Sequence, residues 1–378
     1  MNEGFNIASL VSYQVYPAKM GGQKGIALFY QYLSKLVPIT IISTRNNVPA
    51  ANDRIRFVPA LSNAKIRYIN PLLFFTVRRF IKKNNITHLI LEHPYYGWLG
   101  LFLKWFSKIK LIVHSHNIEA LRFKSMGRWW WGILWHYEKL IHRKADLSFF
   151  IQDDDRKYAI EKFNLKPGKC VTITYGIEIE NPPSAAEKRA AGNVIRERYG
   201  IAADKKIMLF NGTLDYKPNQ DALDIILNKL NPLLLENTDF SYTIIICGNR
   251  LPAAYKNLEA YAGKNIVSAG FVDDISVFFK GADIFINPVI DGGGIKTKVV
   301  EALGYDLSVI STQSGAIGIP VSITGDKMTV IAGEDWSSFA AQVPLMDSHA
   351  SIPQKFFDHF YWGNIAAKAF ESIKQIQQ

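Results

Sequence analysis

The strongest constraint on the fold is a rhythm. Short runs rich in Ile, Val, Leu and Phe recur along the 378 residues, and stretches with helical spacing of apolar positions lie between them. In the first half the runs are FNIASLVS, ITIISTR, THLILEH, KLIVHSH, LSFFI and VTITY. In the second they are KIMLFNG, YTIIICG, NIVSAGF, DIFINPV, LSVIST and MTVIA. Near-continuous apolar runs separated by helical segments such as PLLFFTVRRFIKKN predict parallel strands covered on both faces. The pattern occurs twice, and the polar, Ala-rich stretch NPPSAAEKRAAGNVIRERYGIAADKK lies between the copies. The expected architecture is α/β: two facing Rossmann-like doubly wound domains, residues 1–181 and 182–355. A last segment, residues 356–378, is expected to form an amphipathic helix with Ile365, Ala369, Phe370 and Ile373 on one face. Ligands of such sheets bind beyond the carboxyl ends of the strands, so the site is expected in the cleft between the domains.

Charge and aromatic residues separate the halves. Residues 1–180 hold 26 Lys and Arg against 12 Asp and Glu, whereas the remainder holds 18 against 21, so the whole basic excess lies in the first half. Most of the tryptophans lie there too. A basic, aromatic half suits an anionic partner: a membrane surface, a phosphorylated lipid or a nucleic acid. Within RFKSMGRWWWGILWHYEKLIHRK, three consecutive tryptophans cannot all face inward on a helix. With Arg128, Lys139, Arg143 and Lys144 nearby, the stretch reads as an interfacial or lipid-linked acceptor surface, and the plain alternative is a helix packing its tryptophans into the core. Cys170 and Cys247 sit in apolar runs and read as buried thiols in a reducing compartment. The start MNEGFNIASL lacks the features of a signal peptide, and YYGWLGLFLKWF is too short to span a bilayer. The expected location is therefore cytoplasmic, peripheral on the inner face of the membrane.

The chemistry concentrates in DGGGIKTKVVEALG, residues 291–304. Gly292, Gly293 and Gly294 follow an apolar strand and precede a helix. Glycines let a backbone approach a ligand closely, and a helix start adds a positive dipole end. Lys296 and Lys298 add charge, so the turn from Gly293 through Ile295 and Thr297 to Lys298 suits an anion such as a diphosphate. Glu301 follows Lys298 by one turn, where a carboxylate suits paired ribose hydroxyls. A flexible loop with a solvated Lys298–Glu301 pair is the simpler alternative. Related turns open each half: Gly21 and Gly22 before GIALFYQYL, and Gly212 with Lys217 before a helix that Asn219 or Asp221 can cap. Each alone is no more than a βα turn.

Other candidates are weaker. Asp153, Asp154 and Asp155 start a helix, so N-capping and dipole complementarity explain them without metal. His114 and His116 share a strand face, but no nearby Cys or third His completes a metal site, and no metal is expected. His93 ends another strand and could line the acceptor side. No nucleophile signature for acyl transfer occurs.

The motifs GGGIKTKVVEAL, NGTLDYKPNQDA and GFVDDISVFFKGADIFINP, with IVHSHNIEALR and ADLSFFIQDDDRKYAI earlier, resemble a retaining glycosyltransferase of family 4. That resemblance covers essentially the whole chain. It implies a GT-B fold whose last helix crosses back to the first domain, and a UDP- or GDP-sugar as donor with no further cofactor. It implies that Glu301 holds the donor ribose and that Lys296 and Lys298 lie near the diphosphate. Phe271 and Val272 match the turn beside the base, and Gly248, Asn249 and Arg250 match another ligand-facing loop. Gly21 and Gly22 match a loop closing on donor phosphate or acceptor, and His116 matches a histidine near the sugar. The sequence departs from the family at Gly293, where many members carry the first glutamate of E-x7-E. It also shows only Lys217 where an arginine often accompanies the lysine. The expected activity is metal-independent transfer of a sugar to a glycan or lipid-linked acceptor with retention of anomeric configuration, the roles of His116, Lys298 and Glu301 being catalytic. Hydrolysis or epimerisation of a nucleotide sugar is the rival within the same fold. A basic nucleic-acid-binding protein lacks a recognised motif. Dinucleotide oxidoreduction lacks both G-x-G-x-x-G and an acidic ribose partner.

Overall fold

The computed structural model describes residues 4–18, 21–49, 54–346 and 350–376. The chain forms two compact units, one of Met1–Gly176 with Phe360–Gln378 and the other of Ile177–His359.

The first unit is built on seven parallel strands: β1 (Ile7–Val11), β2 (Ile39–Thr44), β3 (Arg56–Leu61), β4 (His88–Glu92), β5 (Lys110–Ser115), β6 (Leu147–Phe150) and β7 (Cys170–Thr172). Their order is β3-β2-β1-β4-β5-β6-β7. The central strands are buried along their whole length, as their apolar runs require. Strand β3 is absent from the strands expected above. Its sequence RFVPAL is exposed or half-buried except for Leu61 and contains Pro59, which an edge strand accommodates. The helices of this part of the chain are α1 (Gly21–Leu33), α2 (Leu72–Lys83), α3 (Gly97–Ser107), α4 (Glu119–Ser125), α5 (Trp131–Lys144) and α6 (Asp153–Lys162). Leu73, Val77 and Ile81 of α2, Leu99 and Leu103 of α3 and Ile141 of α5 pack into one core with Leu89, Leu91 and Leu111 of the strands. These three helices therefore cover the same face of the sheet.

The second unit has six parallel strands, β8 (Lys206–Thr213), β9 (Tyr242–Asn249), β10 (Ile266–Gly270), β11 (Ile284–Asn287), β12 (Ser308–Thr312) and β13 (Met328–Ile331), in the order β10-β9-β8-β11-β12-β13. Its helices are α7 (Ala185–Tyr199), α8 (Lys217–Ile225), α9 (Asn231–Glu236), α10 (Ile275–Gly281), α11 (Thr297–Gly304) and α12 (Trp336–Gln342). The Ala-rich stretch between the two sequence copies is helical over most of its length. This helix is α7, started by a capping box between Ser184 and Glu187 and packed against α10 within the second unit. The chain ends with α13 (Gln354–Phe360) and α14 (Trp362–Gln375). Helix α14 returns to the first unit and packs on α1, burying Ile365, Ala369, Phe370 and Ile373.

One core histidine gives a direct test of the packing. His142 on α5 is fully buried between Phe150 and Phe163, with Nδ1 hydrogen-bonded to Ser148 and Nε2 without a partner among the described residues. Burial, aided by the nearby Lys169 charge, pushes its imidazole down to about 3. The unfolded chain thus takes up a proton below the ordinary value of 6.5 that the folded chain refuses, and stability falls as pH drops from 6.5 towards 3. His142→Phe keeps the packing and removes this penalty. Relative to the parent it is expected to gain about 2 kcal/mol on going from pH 7.5 to pH 5, read by chemical denaturation at both pH values.

Candidate active site

In both sheets the strand order reverses next to the first strand, and such reversals open the crevice where doubly wound sheets bind ligands. In the second unit the reversal lies between β8 and β11. The loop after β11 contains Gly292 at φ +99° and Gly294 at φ +78°, conformations that side chains strain to adopt. Gly293 between them is exposed, with open space where a side chain would stand. Lys296 folds back onto this turn and donates to the carbonyls of Gly292 (2.6 Å) and Gly294 (2.9 Å). Ile295 packs beside Gly318, and Thr297 opens α11.

Lys298 reaches the other side of the reversal. Its ammonium donates to the Asn211 carbonyl (3.2 Å) and to Asn219 Oδ1 (2.9 Å), and lies 4.3 Å from the centre of the Phe210 ring. Asn219 is held in turn by a bond from Nδ2 to the Thr213 carbonyl. Gly212 makes this approach possible, since a Cβ there would stand 2.6 Å from Asn219 Nδ2. The structure thus joins Gly212, Asn219 and Lys298, which are far apart in sequence. Burial, and then the neighbouring Lys296, push the Lys298 ammonium down to about 7. Burial pushes Lys296 down to about 8, against the pull of Asp291. Two poorly solvated amines beside an open glycine turn have the charge and the geometry to receive an anion.

The remaining sequence candidates of this unit are exposed or half-buried. Lys217 is ion-paired with Asp221, and Arg250, at φ +56°, pairs with Asp215 at 2.8 Å. Asn249 is exposed at the end of β9, Phe271 is 70% exposed, and Val272 and Glu301 are half-buried. Two expectations are corrected. Neither Asn219 nor Asp221 caps α8: its N-cap is Tyr216, and both side chains lie inside the helix, engaged by Lys298 and Lys217. Gly21 and Gly22 lie in α1 rather than in a turn before it; Lys19 and Met20 lie outside the described residues.

In the first unit the reversal lies between β1 and β4, and a buried network fills the carboxyl ends of the strands there. Parallel register aligns Glu92 with Val11 on one side and His114 on the other. Glu92 accepts from Tyr30 Oη (2.5 Å), His114 Nδ1 (3.0 Å) and His116 Nε2 (2.6 Å). Burial alone would raise its carboxyl, but His114 and His116 hold it well below the ordinary range. An ionised carboxylate only accepts, so both imidazoles donate to it, and His116 Nδ1 has no hydrogen-bond partner among the described residues. His93 stacks on His116 at 4.5 Å, and its nitrogens are tied to Tyr13 and Glu119. Burial raises the Glu119 carboxyl too, and His93, Tyr95 and Arg122 overcome this and hold it at about 2. The partner thought missing from the His114–His116 pair is therefore a carboxylate on the neighbouring strand. Glu92, His114 and His116 bring metal-ligand atoms within 4.8 Å of one another, and the same atoms already satisfy each other as hydrogen-bond partners. Sequence spacing could not reveal this, because it does not fix the register between strands. Asp153–Asp155 form the first turn of α6, where they suit the helix dipole; the cap is Gln152, and Asp153 binds Arg156 and Thr172.

Comparison with known proteins agrees with this geometry. Residues 21–181 match the sequence profile of Glycosyltransferase Family 4, and residues 205–345 that of Glycosyl transferases group 1. An uncharacterized 44.6 kDa protein in the cps region of Klebsiella pneumoniae is 31% identical over 306 residues, 76% of this chain and 71% of that protein. Among solved structures, a glycosyltransferase from Rickettsia africae ESF-5 superposes with a TM-score of 0.71 over 99% of both chains at 17% identity. Anabaena HepE, solved in complex with UDP, gives 0.71 over 98% of this chain and all of its own at 13% identity. The lipopolysaccharide outer core galactosyltransferase WaaB gives 0.64 at 11% identity, covering 98% of this chain and 99% of its own. Two Rossmann-like sheets with this order and these neighbours define the GT-B fold, and both sequence profiles are those of glycosyltransferases. The chain belongs to the family 4 glycosyltransferases.

Proposed function

We propose that the protein moves a sugar from a UDP- or GDP-sugar to a glycan or lipid-linked acceptor, with retention at the anomeric carbon and without metal. The observation that supports this most directly is the pair of depressed cations, Lys296 and Lys298, beside the open turn at Gly292–Gly294. A diphosphate there relieves both. As the bond from the anomeric carbon to the diphosphate oxygen breaks, negative charge gathers on the leaving group and the cations stabilise it. The acceptor oxygen attaches on the same face, and its proton passes to the departing phosphate oxygen. In this reading Glu301 binds the ribose, and His116 offers its free Nδ1 to the sugar. Anabaena HepE has been solved with UDP and with UDP-glucose, which favours uridine as the base. The acceptor is a cell-surface glycan built at the cytoplasmic face of the membrane; WaaG, a glycosyltransferase involved in lipopolysaccharide biosynthesis, shares the fold. No helix among the described residues is long and apolar enough to cross a membrane, so contact with the bilayer is peripheral in this reading.

Thermal-shift screening with UDP- and GDP-sugars tests the donor. One sugar nucleotide is expected to raise the melting temperature by roughly 5 °C at a hundredfold excess over Kd, and Glu301→Ala to lose most of that gain. No stabilisation by either set would remove the reading. Turnover without an added acceptor, at the rate seen with one, would turn it into hydrolysis or epimerisation.

A further inference from the structure

Between residues 54 and 152 the chain carries 17 Lys and Arg but only four carboxylates: Glu92, Glu119, Glu138 and Asp146. The structure buries the first three and ties the fourth, half-buried, to Lys104. The outer surface built by this stretch therefore presents no free carboxylate, while Arg79, Lys82, Lys83 and Lys108 stand exposed on it. Charges of both signs normally intersperse on a soluble surface, so this segregation marks a face selected against negative charge.

The same face exposes large apolar side chains. Leu72 and Phe75 of α2, Phe102, Trp105 and Phe106 of α3, and Ile69 just before α2 are each between 45% and 72% exposed. The aromatic members are contiguous. Phe74 meets Phe75, Phe102 and Phe106 at ring distances of 5.3 to 6.2 Å, Phe102 meets Trp105 at 5.9 Å, and Arg78 binds the Phe106 carbonyl. Neither helix contains an acidic residue. An apolar patch of this extent, with exposed cations and no free carboxylate from residues 54–152 beside it, complements a surface that is anionic outside and apolar beneath.

The triple tryptophan is less available than its sequence suggests. Trp130 packs on Phe123 at 4.5 Å, Lys124 lies over Trp131, and only Trp129 is largely exposed. We infer that the α2–α3 face is the docking surface for an anionic phospholipid bilayer, with Phe75, Trp105 and Phe106 entering the interface and the α2 cations on the headgroups. This deepens the peripheral contact proposed above and rests on that reading.

Flotation of the full chain with vesicles tests it. Binding is expected to vesicles containing about one-third phosphatidylglycerol and not to pure phosphatidylcholine, and to weaken as salt rises. The triple variant Phe75→Ser/Trp105→Ser/Phe106→Ser is expected to lower partitioning at least about tenfold, and Arg79→Glu/Lys83→Glu to act similarly, whereas Trp129→Ser has a minor effect. All positions are exposed, so the variants keep the parent's melting temperature. Indifference of the vesicles to the triple variant, or a loss confined to Trp129→Ser, overturns the assignment. So does a concentration-dependent dimer in the parent that the triple variant abolishes, which would give the face to a second copy. Nucleotide-sugar stabilisation measured without vesicles is unchanged in the triple variant, so failure here leaves the donor reading standing, and the reverse also holds.

Discussion

Replacing Lys298 with methionine is expected to lower sugar transfer about a thousandfold at pH 7 while moving the melting temperature by only a few degrees. Methionine keeps an unbranched stem against Phe210 and removes the ammonium that spans Asn211 and Asn219. In the free protein that cation is inadequately compensated, which is why burial and Lys296 depress it to about 7. The unfolded chain keeps the ordinary affinity for the proton, so the parent bears the cost of a charged Lys298 in full below pH 7. That cost fades as pH rises from 7 towards 10.5. The bound diphosphate reverses the balance by favouring the ammonium. With Lys296 recharged as well, donor binding near pH 8 should therefore take up roughly one to one and a half protons. Calorimetry in two buffers of different ionisation enthalpy measures that uptake directly. A Lys298→Met enzyme that retains turnover, or a parent that binds without proton uptake, would end the assignment of this lysine to the diphosphate.

Glu92→Ala is expected to destabilise the first unit by about 4 kcal/mol or more, a large part of a typical domain's stability. The carboxylate is the sole acceptor shown for the imidazole N–H groups of His114 and His116, and it also receives Tyr30 Oη. Alanine leaves these buried donors without it, and each orphan carries its own desolvation cost. Glu92→Gln retains the shape but replaces one acceptor oxygen with a donor, so it should cost less and yet release His116 from its fixed tautomer. Because the chain has two units, one unfolding curve would mix their stabilities. Hydrogen exchange at the amides of β4 and β5 isolates the effect. Protection unchanged in the alanine variant would mean that the network contributes nothing to holding these strands.

Much of the fold is legible in the sequence because its causes are local. Apolar runs that strand formers fill on both faces, and helical spacing between them, predict two parallel sheets without reference to distant residues. The strand that escapes notice, β3, is an edge strand with a proline and no continuous apolar run. The capping of α8 is misread for a related reason: Asn219 has the chemistry of a cap, yet it is drawn to Lys298, a residue 79 positions away. Local preference yields where a buried cation needs an acceptor.

The sequence by itself determined the alternation of elements, the glycine–lysine turn at 292–298 and the basic excess of the first half, since spacing and composition suffice for these. Only the tertiary structure decided that Glu92 meets both His114 and His116, that Lys298 closes on Asn219, and that the carboxylates of residues 54–152 are buried or ion-paired while aromatic side chains of α2 and α3 are bared. The reason is that strand register and burial are collective. They follow from how whole sheets and helix layers minimise exposed apolar area together, and no single segment contains that information.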